Sequence, residues 1–484
     1  MNKQTKWRNF ALICGALRIA AASSEAAEAP AKDRPNIMVV ISDDQSWPHA
    51  GAYGDPCVKT PAFDRIAREG VLFSHAFCAS PSCTPSRAAI LTGQDVWRLR
   101  EGANLFGTLP QEFEVYPDLL EAVGYAVGYT KKGWSPGSEQ AGGRKRNPAG
   151  SWYETFEQFI EKVPASAPFC FWYGSFEPHR PYKEGSGKEA GKKLEDVVVP
   201  GFLPDVPEIR SDFLDYYHEI DMFDKQLGEV IDLLEKRGQL DNTLILVTSD
   251  NGMPFPRAKT NIYDAGTRIP LAIRWGRKIR GGRKVDDFVN LTDVAPTVLE
   301  AAGVEIPADM TGRSLMPLLT SKASGQIDPT RDHVVVSRER HGWNREPNEG
   351  YPMRAIRTKD YLYIRNFKPE RQPGCDHDPG PSMTYLLENR NREPVQRFFK
   401  LFFEPRPEEE LYLLAKDPYQ MNNVVSDPSM AEIKKELRDL LETHLKQTGD
   451  PRMSGQGDAF DRYPYYGPPT GNSKILEMIP ALDP

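Results

Sequence analysis

The sequence predicts an α/β fold, with a mixed, mostly parallel sheet flanked by helices and a smaller C-terminal α+β subdomain. Three observations predict it. Short apolar runs at 37–41, 125–130, 169–173, 243–248 and 270–275 are rich in Val, Ile and aromatics, the composition of strands buried on both faces. Helical patterns lie between these runs, and such alternation calls for helices covering both sides of a largely parallel sheet. Beyond about Gly350 the pattern turns to an antiparallel hairpin, a Pro- and charge-rich stretch and one amphipathic helix.

Each element follows in chain order. Lys3, Lys6 and Arg8 precede an apolar stretch over 10–22, interrupted by Arg18, and then small residues such as Ala26, Ala27 and Ala29. That pattern predicts a secretory signal peptide over 1–29, and so an exported, periplasmic or secreted protein. A catalytic domain is expected over 33–350. Its first strand runs into Asp43-Asp44. Thr60-Pro61 opens a helix that Gly70 closes, and Thr84-Pro85 fits the N-cap and first position of another that stops at Gly93. The run at 125–130 delivers Lys131 and Lys132, and that at 169–173 leads into Glu177-Pro178-His179. Phe213, Tyr217, Ile220, Phe223, Leu227, Val230, Ile231 and Leu234 form one apolar stripe of a long helix over 211–237. The strand at 243–248 then runs into Asp250-Asn251-Gly252. In the subdomain over 351–484, MRAIRTKDYLYIRNF alternates around Lys359-Asp360 as a hairpin. A capped helix follows from Asp427-Pro428 to about Gln447, with Met430, Ile433, Leu437, Leu440, Leu441 and Leu445 apolar, and an irregular Pro/Tyr tail ends the chain.

Composition removes several function classes. The formal charge of the 484 residues is −7, where a nucleic-acid binder needs a basic domain or stripe. Mean hydropathy is −0.54. After the leader no stretch reaches the ~18 apolar residues of a membrane helix, so an integral membrane protein is not expected. Six cysteines are too sparse for a disulfide scaffold, and no CxxC pair suggests zinc.

Chemistry is expected where polar groups follow the strands, since open α/β sheets bind ligands beyond the carboxyl ends of their strands. Asp43, Asp44, Asp250 and Asn251 offer only oxygen donors, a set suited to Ca²⁺, or second to it Mg²⁺, rather than zinc. Cys83 would stand at a helix N-terminus, where backbone N–H groups and the helix dipole favour an anion, with Arg87 in the first turn to share it. A thiolate there would be a nucleophile. The alternative is a buried structural cysteine.

CTPSRAAILTG, beginning at Cys83, resembles the signature of the type I sulfatases, in which C-x-P-S-R marks a cysteine converted to formylglycine. The resemblance extends over most of the chain, through VVISDD, the Lys132 region, EPHRP, SDNG and ELYLLAKDPYQMNNV. It implies an alkaline-phosphatase-like fold. It also implies a calcium site made by Asp43, Asp44, Asp250 and Asn251 with modified Cys83 completing the shell, and a formylglycine-generating or equivalent maturation enzyme as partner. Arg87, Lys132, His179 and Lys259 resemble the residues that hold and polarise the sulfate or assist the leaving group. In the mechanism so implied, one hydroxyl of a formylglycine hydrate attacks sulfur and the other expels sulfate from the covalent ester, a second step that serine could not perform. One departure is clear: Trp134 stands where the family often has histidine, in Lys131-Lys132-Gly133-Trp134. Within the family, DNGMPFPRAKTNIYDAGTRIPL and GYPMRAI are similar to heparan N-sulfatases, the sulfamidases, which implies N-sulfated glucosamine of heparan or heparin-type oligosaccharides as substrate.

Substrate contacts are expected from His341 and Arg354, with Arg338 and Arg340 as further candidates and a solvated charge cluster as the alternative. Trp97 and Trp134 are candidates either for stacking on a sugar or for the core. Three readings therefore stand side by side: a Ca²⁺-dependent sulfatase of sulfated glycans, acting on N-sulfate or on the O-sulfate of another polysaccharide; a phosphoryl-type hydrolase of the alkaline phosphatase superfamily, for which eight histidines are few; and a non-catalytic glycan binder.

Overall fold

The computed structural model describes residues 34–164, 167–345, 347–376 and 378–468. The leader expected over 1–29 lies outside them. Twelve strands form two sheets: β1 (Asn36–Ser42), β2 (Val71–Phe77), β3 (Ala126–Lys131), β4 (Ser151–Trp152), β5 (Phe169–Gly174), β6 (Thr243–Ser249), β7 (Leu271–Arg274), β8 (Arg283–Asn290), β9 (His333–Arg338), β10 (Met353–Thr358), β11 (Tyr361–Asn366) and β12 (Glu409–Leu413). The large sheet has the order β4-β3-β5-β1-β6-β7-β2-β8, and β7 alone runs antiparallel to its neighbours. All five expected strands are present. The sheet is mixed and mostly parallel, as the apolar runs predict.

β1 shows why such runs read as strands. Ile37, Val39 and Ile41 enter the hydrophobic cluster on one face of the sheet, and Met38 and Val40 enter the cluster on the other. A strand with both faces buried has no polar side to show. The helix Pro207–Lys236 covers the second face with Phe223, Leu227, Val230, Ile231 and Leu234. It begins four residues before the apolar pattern does, because Pro207 takes a first-turn position that needs no amide hydrogen.

The small sheet has the antiparallel order β12-β11-β10-β9, and β10 and β11 form the hairpin turning at Lys359-Asp360. It draws β9 from residues upstream of 351, so its first strand is supplied by the stretch assigned from sequence to the catalytic domain. Leu437, Leu441 and Leu445 of the helix Ala431–Gln447 pack on one face against Val335, Ile356, Tyr363 and Leu411. Val334, Val336, Ala355 and Ile364 of the other face join Phe77, Ile262 and Phe288 of the main domain. The subdomain is thus welded to the large sheet. Among the described residues no helix is long and apolar enough to cross a membrane.

Candidate active site

Four adjacent parallel strands, β3, β5, β1 and β6, deliver their carboxyl ends to one edge of the sheet. Backbone bonds tie those ends together. Asp43 N–H donates to Glu177 O (3.0 Å), Asp250 N–H to Ser42 O (3.2 Å) and Lys132 N–H to Gly174 O (2.8 Å). The last contact needs a glycine, since a Cβ on residue 174 would lie 1.8 Å from the Lys132 carbonyl oxygen. Asp44 turns into the left-handed region (φ 74°), a conformation costing roughly 1–2 kcal/mol in most residues but tolerated by Asp, and its N–H donates to Asp250 Oδ1 (3.1 Å).

The metal candidates meet here. Asp43, Asp44 and Cys83 place one ligand atom each within 4.8 Å of one another. Asn251 is buried, its amide donates to Asp44 Oδ1 (2.7 Å), and its Oδ1 has no hydrogen-bond partner among the described residues. Asp250 is wholly buried and its Oδ2 accepts from Arg87 Nε (2.8 Å). Burial pushes the Asp44 carboxyl up to about 6 despite Lys259 and His179. For Asp43 burial acts the same way, but Lys132, His179, Arg87 and Lys259 outweigh it and hold the carboxyl well below the usual range.

The cations surround this acidic pair. Lys132 Nζ lies 2.5 Å from Asp43 Oδ2, and Lys259 Nζ lies 2.7 Å from Asp44 Oδ2 and 2.8 Å from Asp378 Oδ2. Arg87 is fully buried. Its Nη1 donates to the carbonyls of Lys132 and Gly133, while its Nη2, 3.7 Å from Asp43 Oδ1, has no hydrogen-bond partner among the described residues. His179 Nε2 stands 3.7 Å from Asp44 Oδ2. Its Nδ1 lies 2.5 Å from Arg180 O, which fixes the proton on Nδ1 and leaves Nε2 to face the cavity.

Cys83 opens the helix Cys83–Thr92, with Ser82 rather than Thr84 in the N-cap position and Gly93 in the left-handed C-cap. Its Sγ is 3.6 Å from Asp43 Oδ1. Burial pushes the thiol well above its ordinary value; Lys132 and Lys259 oppose that, while Asp43 and Asp250 add to it. An unmodified Cys83 is therefore held protonated, which corrects the expectation of a thiolate at this helix terminus. Lys132, His179, Lys259, Asp43 and Cys83 all line one cavity of about 730 Å³.

His341 also reaches that cavity, with Nδ1 2.8 Å from Ser82 Oγ. Burial drives its pKa well below the ordinary value and Lys259 adds to this, so the ring is a neutral donor and acceptor. Arg354 does not reach it. Its guanidinium is fully buried between Asp450 (Nε to Oδ2, 2.6 Å) and Glu339 (Nη2 to Oε1, 2.7 Å), which makes it a structural tie rather than a substrate contact. Arg338 pairs with Asp376, and Arg340 donates to the carbonyls of Asp461, Tyr463 and Pro464. Trp134 packs in the core beneath the sheet. Trp97 is equally buried, with its ring under Arg354 at 5.4 Å. Neither indole lines the cavity. Two lining carboxylates escaped the sequence reading, Glu219 on the helix Pro207–Lys236 and Asp378 in the segment after Asp376. Asp378 lies in the Pro- and charge-rich stretch, and no pattern there marks it.

Comparison with known proteins agrees with this geometry. The sulfatase family model matches residues 35–304, and the model described as N-sulphoglucosamine sulphohydrolase, C-terminal matches 257–400. An ulvan-active sulfatase of Formosa agariphila is 30% identical over 86% of this chain and 81% of its own, and human N-sulphoglucosamine sulphohydrolase is 28% identical over 86% and 91%. Among solved structures, a protein in complex with its substrate D-glucosamine-2-N,6-O-disulfate superposes with TM-score 0.63 at 22% identity, over 86% of this chain and 98% of that one. The phosphonate monoester hydrolase of Agrobacterium radiobacter gives TM-score 0.63 at 18% identity, over 87% and 97%, which shows the shared fold. With the signature cysteine at the head of its helix and the matched family spanning the sheet that carries the site, the chain belongs to the sulfatase family and is a sulfatase hydrolase.

Proposed function

We propose that this sulfatase removes the N-sulfate of glucosamine from heparan- or heparin-type oligosaccharides, through a formylglycine made from Cys83. The observation that carries the substrate reading is where the second family match falls. Residues 257–400 supply Lys259, His341 and Asp378, the side of the cavity facing Cys83 and Lys132. Human N-sulphoglucosamine sulphohydrolase is matched over 91% of its length. The ulvan-active relative favours a second reading, an O-sulfatase of another polysaccharide, and so does the absence of a histidine at position 134.

The donor set fits a hard divalent cation, and we propose Ca²⁺. Asp43, Asp44 and Asp250 bring carboxylate oxygens, and the partnerless, buried Asn251 Oδ1 is the polar atom such an ion would satisfy. When bound, the ion would withdraw charge from a coordinated oxygen and from the sulfate. Conversion of Cys83 to formylglycine and addition of water to its aldehyde would supply two hydroxyls on one carbon, one to attack sulfur and one to expel the sulfate as the aldehyde re-forms. The chain's own residues do the rest. Lys132 and Lys259 line the cavity on opposite carboxylates of the acidic pair and neutralise sulfate oxygens between them. Arg87 keeps Asp250 and the β3 end in register and has Nη2 left to donate. His179 keeps its Nδ1–H on a carbonyl and, when a second proton occupies Nε2, delivers that proton to the leaving nitrogen or oxygen. The test is hydrolysis of matched glucosamine saccharides carrying N-, 6-O- or 2-O-sulfate. Release from the N-sulfated sugar supports the reading, and release from O-sulfated sugars alone overturns it.

A further inference from the structure

We infer that Glu219, on the outer lining beside Glu177, is the centre of an acidic wall that restricts this active site to saccharides whose only anionic group in the cavity is the sulfate being removed. The inference deepens the proposed function and rests on its placement of the sulfate at Cys83. A site for densely sulfated chains would need spare cations along its outer part, and the described lining residues supply none. Lys132 is held by Asp43, and Lys259 by Asp44 and Asp378. Arg180 spends Nη1 and Nη2 on both oxygens of Asp212 (2.8 and 2.7 Å) and Nε on Pro254 O (3.0 Å). His341 is neutral.

What remains on the outer lining is acidic or apolar. Glu219 is half-buried on the long helix. Glu177 is held in its charged form: burial raises its carboxyl, but Ser175, Gln226 and Lys131 outweigh it. Phe176 stands 54% exposed at the mouth, and Phe106, braced edge-on by Tyr465 with centroids 5.3 Å apart, lies among the same lining residues. Apolar ring faces suit the C–H faces of a pyranose, and carboxylates accept hydrogen bonds from its hydroxyls. The same carboxylates repel a second sulfate or a uronate, and such like-charge contacts serve discrimination more than affinity.

The test is kcat/KM on glucosamine saccharides with one sulfate against the matched N,6-O-disulfated sugar, for the wild type, Glu219→Gln and Glu219→Lys. The wild type is expected to prefer the monosulfated sugar by about tenfold or more, and Glu219→Lys to lose most of that ratio. Glu219→Gln should fall between them. Equal wild-type rates, or a ratio unmoved by both variants, would overturn the inference. Thermal melting of each variant verifies folding. If none of the sugars is hydrolysed, the proposed function fails. The wall is still read by using the same sugars as competitors of an aryl sulfate: weaker inhibition by the disulfated sugar supports it, and equal or stronger inhibition overturns it.

Discussion

At Cys83 burial, with Asp43 and Asp250 adding to it, pushes the thiol up against the pull of Lys132 and Lys259, so the unmodified side chain is a poor nucleophile. Cys83→Ala should therefore abolish turnover while leaving the melting temperature within a few degrees, measured by calorimetry beside an activity assay. His179 has a different signature. Removing a positioned acid costs about 10²–10⁴-fold in rate, so His179→Ala should slow sugar substrates by that order. An aryl sulfate, whose phenolate leaves without a proton, should lose much less. The motif and the strand-end polar residues were legible because their chemistry is local: a contiguous C-x-P-S-R signature, an acid pair after an apolar run. Glu219 and Asp378 were not. Each looks like any surface carboxylate until the helix and the segment after Asp376 are folded around the cavity.

Among the elements, the charged strands were hard to read. β8 carries Arg283, Lys284, Asp286 and Asp287, and β2 carries Ser74 and His75, so neither shows the apolar run that marks β1 or β6. β8 is the edge strand, where Lys284 and Asp286 stay partly solvated, and β2 lies next to it with His75 half-buried. Arg354 was misread for a related reason. A charged residue in a strand suggests a surface, but here β10 is covered by the segment carrying Asp450, and the arginine is buried with two carboxylates. Arg354→Ala strips buried Asp450 of its cation while Glu339 keeps Arg452, so it should cost about 3–5 kcal/mol in denaturant unfolding, with KM of the folded enzyme unchanged. The long helix gives a pH test. Burial pushes the Glu219 carboxyl up to about 7, with Glu177 and Asp215 adding to it. Below that pH the carboxyl is neutral and repels nothing, so preference for monosulfated over disulfated sugar should be stronger at pH 8 than at pH 6. Rate ratios at the two values check it.

For the whole molecule, two sheets and the segment between them converge on one cavity. The strand ends supply the acid pair, Cys83 and Lys132. The C-terminal part supplies His341 and Asp378. Sequence foretold the architecture, since burial on both sheet faces leaves a plain hydrophobic record, but not the partnership between the two parts, which depends on loops with no period. A bound cation should couple them further, because Asp43, Asp44, Asp250 and Asn251 come from two strands. Chelation is therefore expected to lower the melting temperature by several degrees and readdition of Ca²⁺ to restore it, and a melting curve indifferent to chelator would remove the ion from the account. The most direct measurement is mass spectrometry of the peptide bearing Cys83, with an aldehyde-specific probe, on protein from cells with a maturation system and assayed in parallel. The account predicts an aldehyde at position 83 whose extent tracks specific activity. A free thiol at position 83 in fully active protein would contradict it.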